Sequence, residues 1–522
     1  MKSFITIVIC FIGLFGFSQK ELHVFPENHS TTPGTKHGDG SLGKPFDLQT
    51  ALELTTDKVN GGDIIWVHEG TYNGRFVSTI SSTDDKLITI SNYKGGKVVI
   101  NGNVPSTRNA VLEVRGKRVK FENLEITFIG KFLRDEKNEN FKPVLGINHL
   151  GGKECEFINL KIHNNPGSGI GSWKKAGGSK IIGCTIFNNG FFGKKRGRGV
   201  GIYVQNQSEA IRVIRDNVIF NNYYKGIEVW SANKNAKSAY VKNIDIDNNI
   251  VFNNGLPSGR LFDNLIIGTD DRKGANIARN INVRGNLFYH NTDIKNSQIN
   301  GDAPALTLGF SKKAPLEDIV IEGNHIIGRN NAMRLLHAKS LTFKNNVVYS
   351  GYVYVDPTYQ ARQSQWDFSS NRYFTKKKKA FRFGKPGFHD LDGWNTNITS
   401  DANSEWKHLK DFSTRNVLSI KRHQNNNNTF TLAIFNKDGN NVMVDFSEYG
   451  DIKNGSTFKI KNIETNAIIT SGILKNNQIE IPIGTYNNTH DNFGVFFIEF
   501  ESPKIETKRK TALGKFFRWL GF

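Results

Sequence analysis

The sequence predicts an all-β protein in which a parallel β-solenoid precedes a small antiparallel β-sandwich. Between about residues 87 and 374 one phrase recurs: an apolar residue, one or two polar residues, an asparagine and a short apolar stretch. From about residue 405 the pattern changes to alternating strands separated by turn residues. The chain of 522 residues contains 51 Gly and only 3 Met, a composition that favours tight turns over a helical bundle.

The chain begins with a segment typical of a cleaved secretory signal, residues 1–19. One lysine precedes an apolar run from Phe4 to Phe17, and small and polar residues follow. A membrane anchor is the alternative, but the run is shorter than the ~20 residues that a membrane span needs. No later segment is apolar enough to cross a bilayer. We therefore expect a secreted, periplasmic or cell-surface protein whose remaining cysteines, Cys155 and Cys184, do not form a disulfide framework.

The recurring phrases align on one column of polar residues. Because their spacing is unequal while the phrase is constant, they predict a solenoid whose coils differ in loop length. Parallel coils bring equivalent positions to ~4.8 Å from each other, so an inward Asn on each coil can bond the next. The predicted ladder is Asn92, Asn123, Asn159, Cys184, Asn217, Asn249, Asn286, Asn324, Asn346 and Asn371.

A second short strand follows most of these phrases, and its alternation predicts which side chains face solvent. The branched residues should point into the core; they are Ile202, Val204, Ile227 and Val229. The outward residues are then Tyr203, Gln205, Glu228 and Trp230. Trp173, one coil earlier, should lie near them. Exposed aromatic rings in a line suit an extended sugar chain, although ordinary, partly covered surface aromatics would give the same pattern.

Two segments resemble the secreted right-handed parallel β-helix proteins of the pectate-lyase superfamily. The segment from Pro33 to Gly74 is similar to the turn, capping helix and strand that begin such helices, and Phe388 to Trp406 is similar to the sequence that finishes many of them. The resemblance spans most of residues 25–406 and implies a right-handed β-helix over residues 20–404. The superfamily includes lyases, hydrolases, epimerases and phage tailspikes, so the fold alone does not determine the chemistry.

Seven alternating strands over residues 405–501 predict the C-terminal β-sandwich. It resembles the domain appended to similar β-helix proteins, and we expect it to pack against the helix or to bind glycan weakly. Residues 502–522 form a basic tail with several aromatic residues. A docked terminal helix or a disordered end is the favoured interpretation of this tail, and contact with an acidic surface or a membrane is the alternative.

The formal charge of +21 is concentrated beside the predicted aromatic row. Lys174 and Lys175 follow Trp173, and the stretch GFFGKKRGRGVG precedes Tyr203. Its cations are Lys194, Lys195, Arg196 and Arg198. Such loops attract a polyanion, and for a secreted protein an acidic polysaccharide is the expected partner. Single-stranded nucleic acid is a less favoured ligand, and a solvated basic loop is the alternative without function.

Cleavage of a uronate chain by β-elimination requires neutralisation of the carboxylate, a base and a route for the leaving oxygen. The resemblance implies calcium or basic side chains for the first role and Lys or Arg for the second. Asp270 and Asp271 are candidate calcium ligands, joined by Glu228. The candidate bases are Lys225, Arg272 and Lys273. The sequence therefore predicts catalytic residues Lys225, Glu228, Arg272 and Lys273.

Two other functions fit the same face. A glycoside hydrolase needs two carboxyl groups about 5 to 9.5 Å apart, which Glu228 with Asp270 or Asp271 could provide. A noncatalytic glycan-binding or cell-surface protein needs only the aromatic and basic residues. The sequence predicts a lyase first, a hydrolase second and a binding protein third, and it does not identify the sugar or the linkage.

Overall fold

The computed structural model describes residues 19–290, 292, 304–356, 365–383, 387–397, 401, 403–412, 417–423, 426–483 and 492–502. The predicted signal peptide and basic tail lie outside the described residues, apart from residues 19 and 502. The chain divides into two compact units. Unit 1 comprises Met1–Arg284, Thr307–Val320 and Leu335–Thr342. Unit 2 comprises Gly285–Leu306, Ile321–Arg334 and Phe343–Phe522. Among the described residues no helix is long and apolar enough to cross a membrane.

Unit 1 contains parallel strands that follow one another in the fixed order sheet 1, sheet 2, sheet 3. In sheet 1 they are Glu21–Val24, Ile64–Val67, Ile88–Asn92, Val119–Glu122, Glu156–Ile158, Lys180–Ile182, Arg212–Arg215, Lys242–Asp247 and Arg279–Arg284. In sheet 2 they are Gly70–Asn73, Val98–Asn101, Glu125–Thr127, Lys161–His163, Thr185–Phe187, Val218–Phe220 and Ile250–Phe252. In sheet 3 they are Phe76–Ser78, Ala110–Val114, Leu145–His149, Ile170–Ser172, Ile202–Val204, Ile227–Ser231 and Leu265–Thr269. This repetition of three parallel strands per coil is a parallel β-helix, as the sequence predicted.

Four strands contain residues of both units: Leu306–Leu308, Glu317–Glu322, Met333–Leu335 and Leu341–Lys344. Unit 2 continues the three-sheet pattern with Trp366–Ser369 in sheet 1. Its sheet 2 strands are Leu287–Tyr289, His325–Ile327, Val347–Ser350, Arg372–Thr375 and Glu405–His408. Its sheet 3 strands are Val353–Val355, Phe381–Phe383 and the antiparallel Phe388–His389. The strand Glu405–His408 begins just after residue 404, the predicted end of the β-helix, and pairs in parallel with Arg372–Thr375.

The core of unit 1 consists of the inward residues of these strands. Ile202, Val204, Ile227 and Val229 are all fully buried, which confirms the inward half of the predicted alternation. Gln205 and Glu228 lie on the outer face as predicted, but neighbouring side chains cover them and leave them only 7% and 9% exposed. The short helix Leu48–Leu52 covers the start of the coil with its buried face. Asp47 caps it by accepting a hydrogen bond from the backbone N–H of Thr50, the usual role of Asp before a helix.

The predicted asparagine ladder exists, but its alignment was wrong for the first three members. Asn123 and Asn159 have left-handed backbones (φ 58° and 51°) in the turn before the ladder position, and the buried residues that follow them are leucines. Asn92 is only partly buried at the end of its strand. In unit 1 the side-chain amide of Asn217 donates to Asn249 over 2.9 Å, while its Oδ1 accepts the backbone N–H of Cys184 at the same distance. In these early coils the asparagine of the recurring phrase lies one residue before the ladder position, in a left-handed turn that asparagine tolerates.

A second ladder, which the sequence analysis missed, runs through the turn between sheet 2 and sheet 3 of unit 1. Asn165 donates to Asn189, Asn189 to Asn222, and Asn222 to Asn254 over 2.8, 3.0 and 2.9 Å. Asn254 then donates to Asn264 over 3.0 Å. All five are fully buried. This ladder therefore fixes the turn that precedes each sheet 3 strand.

Unit 2 contains the β-sandwich. Its larger antiparallel sheet has the order Val417–His423, Asn426–Phe435, Phe493–Glu501, Thr457–Asn462 and Ile468–Ile473. The strands Val442–Asp445 and Gln478–Ile481 form the smaller sheet, so all seven predicted strands are present. Three short 3₁₀ helices complete the described elements: Tyr93–Gly95, Leu256–Ser258 and Leu409–Asp411. A hairpin of Phe191–Phe192 with Gly197–Arg198 projects from unit 1.

Aromatic residues join the sandwich to sheet 2 within unit 2. The ring of Phe493 stacks on Tyr289 with centroids 3.7 Å apart, and Phe435 contacts Tyr349 at 5.4 Å. The helix Leu391–Asn397 places the fully buried Trp394 against Phe381, 5.1 Å between centroids. The expected packing of the sandwich on the β-helix is thus present within this unit.

Candidate functional site

The outer face of sheet 3 in unit 1 presents one column of polar side chains. The strand register aligns Glu113, Asn148, Gly171, Tyr203 and Glu228 on successive coils. Consecutive positions in such a column are ~4.8 Å apart, so the column spans four intervals, or roughly 19 Å. Gly171 has no side chain, and the side chains of Leu145 and Trp173 lie over it, 2.8 and 3.6 Å from where a Cβ would be. The column is therefore a row of mostly polar positions about 19 Å long on the outer face of the sheet.

Lys225 lies at the start of this face, in the turn that leads into the strand Ile227–Ser231. Its Nζ is 2.6 Å from Glu228 Oε1, and both side chains are about nine-tenths buried. The ammonium also lies over the rings of Tyr224 and Trp230, 4.7 and 5.5 Å from their centroids. The neighbouring coil contributes Asp263, which accepts a hydrogen bond from Thr307. Lys225 is thus a buried cation between two carboxylates.

The charges around Lys225 determine its protonation. Burial of the ammonium lowers the pKa of Lys225, but Glu228 and then Asp263 raise it, and the net pKa is above the ordinary value. Burial raises the pKa of Tyr203, and the neighbouring Glu228 raises it further. Lys225 is therefore a cation and Tyr203 a neutral phenol at any physiological pH. In this arrangement Lys225 can neutralise an anion but cannot remove a proton.

Aromatic side chains border the column on its C-terminal side. Trp173 is partly exposed, its ring centroid is 5.2 Å from that of Tyr203, and its Nε1 donates to Asn148 over 2.8 Å. The Gln205 amide donates to the Tyr203 hydroxyl oxygen and to the Trp230 carbonyl over 2.9 and 3.0 Å. The structure therefore brings together the predicted residues Trp173, Tyr203, Gln205 and Trp230. Trp230 also contacts the exposed Phe310, 4.8 Å between centroids, which lengthens the aromatic border.

The predicted basic residues lie at both ends of the sheet 3 strands. The exposed cations Lys194, Lys195, Arg196 and Arg198 belong to the Phe191–Arg198 hairpin. The guanidinium of Arg196 lies over the ring of Tyr224, 4.5 Å from the ring centroid, and Tyr224 precedes Lys225 in the chain. At the other end Lys174 lies over Tyr240 at 3.8 Å, and Lys175 follows it. We call the column, its aromatic border, Lys225 and Asp263 the sheet 3 strip; cationic loops flank it at both ends.

The structure does not bring Asp270, Asp271, Arg272 and Lys273 close to Lys225. They follow the strand Leu265–Thr269, whereas Lys225 precedes the paired strand Ile227–Ser231. Six residues from Lys225 to Ser231 correspond to roughly 20 Å at ~3.3 Å per residue. Arg272 and Lys273 are exposed in this turn. The predicted catalytic residues thus form two groups at opposite ends of the strands.

The carboxylates of this turn are already engaged. Asp270 forms an ion pair with Arg272. Asp271 is fully buried and accepts the backbone N–H groups of Lys273, Ala275 and Asn276 over 3.2, 2.6 and 2.8 Å. Burial raises the pKa of Asp271, but these backbone bonds lower it to below the ordinary value. Over the described part of the chain no three His, Cys, Asp or Glu residues form a metal-binding group. Backbone N–H groups thus occupy the Asp271 carboxylate, and the calcium site at Asp270 and Asp271 stays a prediction.

The sequence analysis missed Glu113, Asn148, Asp263 and Phe310 of the strip, and Tyr224 beside it. Glu113 accepts from Arg115, and Asn148 Nδ2 lies 3.5 Å from its second oxygen. Asp263 and Tyr224 adjoin Lys225. Alignment of KGIEVW with DNLIIG would have placed Lys225 and Asp263 at the same position of successive coils. No sequence signal connects Glu113 with Asn148, because the phrase is least regular there.

One family model, described as a right-handed beta helix region, matches residues 78–264. No curated protein sequence matches the chain.

Several solved structures are similar to this one at low sequence identity. Pectate lyase Pel9A is 18% identical, with a TM-score of 0.44 over 68% of this chain and 80% of that one. A GH136 lacto-N-biosidase from Eubacterium ramulus is 14% identical, with a TM-score of 0.49 over 74% of this chain and 67% of that one. A rhamnogalacturonan lyase is 15% identical, with a TM-score of 0.42 over 77% of this chain and 91% of that one.

Proposed function

We propose that this right-handed parallel β-helix protein is a secreted enzyme that cleaves an acidic polysaccharide on the sheet 3 strip by β-elimination. The main support is Lys225, a buried cation beside the partly exposed rings of Tyr224 and Trp230. Because Lys225 already contacts Glu228, a substrate carboxylate would share its ammonium with that glutamate, at a position where burial reduces screening by water. The flanking cations favour an anionic ligand over the length of a chain.

Each step of the elimination can be assigned to a residue of the strip. Lys225 and Arg196 neutralise the uronate carboxylate, which acidifies the adjacent C5–H. Glu228, beside Lys225, takes the C5 proton. The electron pair forms the C4=C5 double bond as the C4–O bond breaks. Tyr203, a neutral phenol next to Glu228 in the column, gives its proton to the leaving oxygen.

In this scheme Lys225 differs from its predicted role as a base. Its raised pKa assigns it to charge neutralisation, and no step depends on calcium. Trp173 and Trp230 hold the sugar rings on either side of the reacting residue. The hairpin cations Lys194, Lys195 and Arg198 bind further acidic residues of the chain.

Hydrolysis is the second candidate, and one observation favours it. Glu228 and Asp263 both act on Lys225, so two carboxylates lie on neighbouring coils. A glycosidase uses such a pair as acid and as nucleophile or base. Asp263 then replaces Asp270 and Asp271 as the partner of Glu228.

The two reactions give different products, so incubation of the full-length protein with polygalacturonate, alginate and a neutral xylan distinguishes them. We expect ultraviolet absorbance from an unsaturated product with one polyuronate, no product from xylan, and the same rate in the presence of a chelator. New reducing ends without this absorbance would establish hydrolysis instead. Retention of polysaccharide without either product would leave a binding protein.

Variants locate the reaction. Glu228→Gln and Tyr203→Phe should each lower kcat at least 100-fold, within the range that general acid–base groups contribute, ~10²–10⁴. The matched control is Glu156→Gln, which removes a carboxylate paired with Lys180 over 2.7 Å on sheet 1. Full activity of both strip variants would show that the reaction takes place elsewhere.

A further inference from the structure

Unit 2 contains a cavity of about 210 Å³ in the turns that lead from sheet 2 to sheet 3. Three successive coils line it. Its lining includes Asn330, Tyr352, Lys376, Lys377, Lys379 and Phe388. The sheet 3 strip, by contrast, consists of unit 1 residues, so the cavity is no part of it.

The charge of the cavity wall is positive. Lys376–Lys379 are four consecutive exposed lysines, and three of them line the cavity. Among the residues that the structure describes, none of the four forms an ion pair. Asp390 lies near two of them, and its pKa is lowered first by the Gly393 N–H and then by Lys378 and Lys379. The three lysines that line the cavity make its wall cationic.

The opposite wall is aromatic. Phe388 is 49% exposed although it is large and apolar, and its ring meets Tyr352 edge to face with centroids 5.9 Å apart. The Tyr352 turn lies against Asn330, whose carbonyl accepts the Tyr352 N–H over 2.7 Å. Gly351 permits this approach, because a Cβ there would lie 2.7 Å from the Cα of Asn330. The aromatic wall is thus held by the backbone of adjacent coils.

The turn that bears the lysines is also fixed. The Thr375 hydroxyl donates to the Lys377 carbonyl over 2.7 Å, and Thr375 is fully buried. Ala380 follows the lysines as a buried residue at the start of the next strand. The backbone of this turn is therefore anchored at both ends, and only the lysine side chains need to become ordered when an anion binds.

A row of cations opposite an exposed ring suits a sugar that bears an acidic group. The ring covers the apolar face of the sugar, and the ammonium groups pair with its carboxylate or sulfate. The volume is below the roughly 300–1,000 Å³ of drug-sized pockets, so there is room for one sugar residue and not for a longer segment.

We propose that this cavity is a second saccharide site, which binds one acidic sugar residue of a polysaccharide. The acidic group lies against Lys376, Lys377 and Lys379, and the sugar ring lies on Phe388. Such a site retains the polymer on the protein independently of cleavage. It goes beyond the proposed enzymatic function and does not depend on it.

Hydrogen exchange of the full-length protein tests this proposal. The probes are a hexagalacturonate, a sulfated hexasaccharide and a neutral cellohexaose. We expect an acidic probe to slow exchange in peptides that cover residues 347–355 and 372–383, and the neutral probe to leave them unchanged. The two acidic probes separate carboxylate from sulfate recognition. Absence of protection with both, or equal protection by cellohexaose, would overturn the proposal.

Two variants make the test specific. Lys376→Ala/Lys377→Ala/Lys379→Ala should abolish this protection and weaken binding at this site at least 10-fold. Lys453→Ala/Lys459→Ala/Lys475→Ala removes the same charge from exposed positions of unit 2 and should retain it. Phe388→Ala, which changes no charge, should also weaken the protection. An equal loss of protection in both lysine variants would show that only the overall positive charge matters, and it would contradict the proposal. Peptides over residues 221–231 report the sheet 3 strip separately, so failure at one site is distinguishable from failure at the other.

Discussion

At the scale of single residues, Lys225 and Glu228 show how position determines role. Both are charged, both are nearly buried, and their mutual contact compensates for the water that each has lost. Arg272 and Asp270 also pair, but the exposed guanidinium makes that pair weak. Two ion pairs of the same chemical type thus differ in energy because they differ in burial.

The first prediction concerns this pair. Lys225→Met should reduce the free energy of unfolding by about 3 to 5 kcal/mol, because Glu228 then stays buried without its main cation. Lys225→Met/Glu228→Leu removes both charges and should recover at least half of that loss. Urea denaturation of the three proteins measures both values. A double variant no more stable than the single one would show that the pair is not desolvated.

His149 provides a second residue-scale prediction. Burial, followed by the cation of Arg212, lowers its pKa to about 3. His149 therefore binds a proton near pH 6.5 in the unfolded chain but only near pH 3 in the folded chain. Because the unfolded state binds more protons between these values, the free energy of unfolding falls as the pH falls through this window.

His149→Gln should flatten part of this acid limb in melting temperatures recorded between pH 7 and pH 4. His68 and His325, with pKa values lowered to about 4, would still contribute. The neutral His149 ring donates from Nε2 to the Gly152 carbonyl and accepts at Nδ1 from the Ser172 hydroxyl, so some stability is lost at neutral pH as well. An acid limb as steep as that of the parent would contradict the assignment.

At the scale of elements, the ladders define the coil. The sequence contained enough information to identify one ladder, the strand alternation and the sandwich, because each depends on a local period. It did not distinguish Asn123 from the ladder position beside it, since asparagine suits both a left-handed turn and a buried amide column. Asp263 was missed for another reason: its partner Lys225 lies on a different coil, and coil length varies.

The ladder gives an element-scale prediction. At positions 124 and 160 leucine occupies the ladder position and is buried, so leucine fits there in shape. Asn217→Leu should nevertheless cost roughly 2 to 4 kcal/mol, because the Cys184 N–H and the Ile181 carbonyl lose their side-chain partner. Chemical denaturation measures this change, and Asn235→Leu at an exposed turn is a less severe comparison. A nearly neutral Asn217→Leu would mean that packing alone holds the coil.

At the scale of the whole molecule, the aromatic contacts of unit 2 explain why the sandwich is part of the fold. Tyr289, Tyr349 and Phe374 would present a large apolar face if the sandwich were removed, since Phe493, Phe435 and Phe412 cover them. Phe493→Ala should therefore lower the melting temperature by several degrees and increase binding of a hydrophobic dye. Phe458→Ala, at a partly buried position of the sandwich, is the control. Equal dye binding by both variants would contradict a specific role for the Tyr289 contact.

The asparagine ladder of unit 2 ends at a charged residue. Within unit 2 every amide donates in the same direction, from Asn286 to Asn324, Asn346 and Asn371. The last donor meets a carboxylate: Asn371 Nδ2 lies 3.1 Å from Asp401 Oδ1, while Tyr373 and Trp394 bond the other oxygen. The dipoles of aligned amides add up, as they do in a helix, and an anion at the donor end interacts favourably with the resulting positive partial charge. Asp401 is thus the last member of the ladder, and it carries a negative charge. A further coil stacked at this end would have to displace Asp401. The residue that stabilises the end of the ladder therefore also marks where the repeat stops.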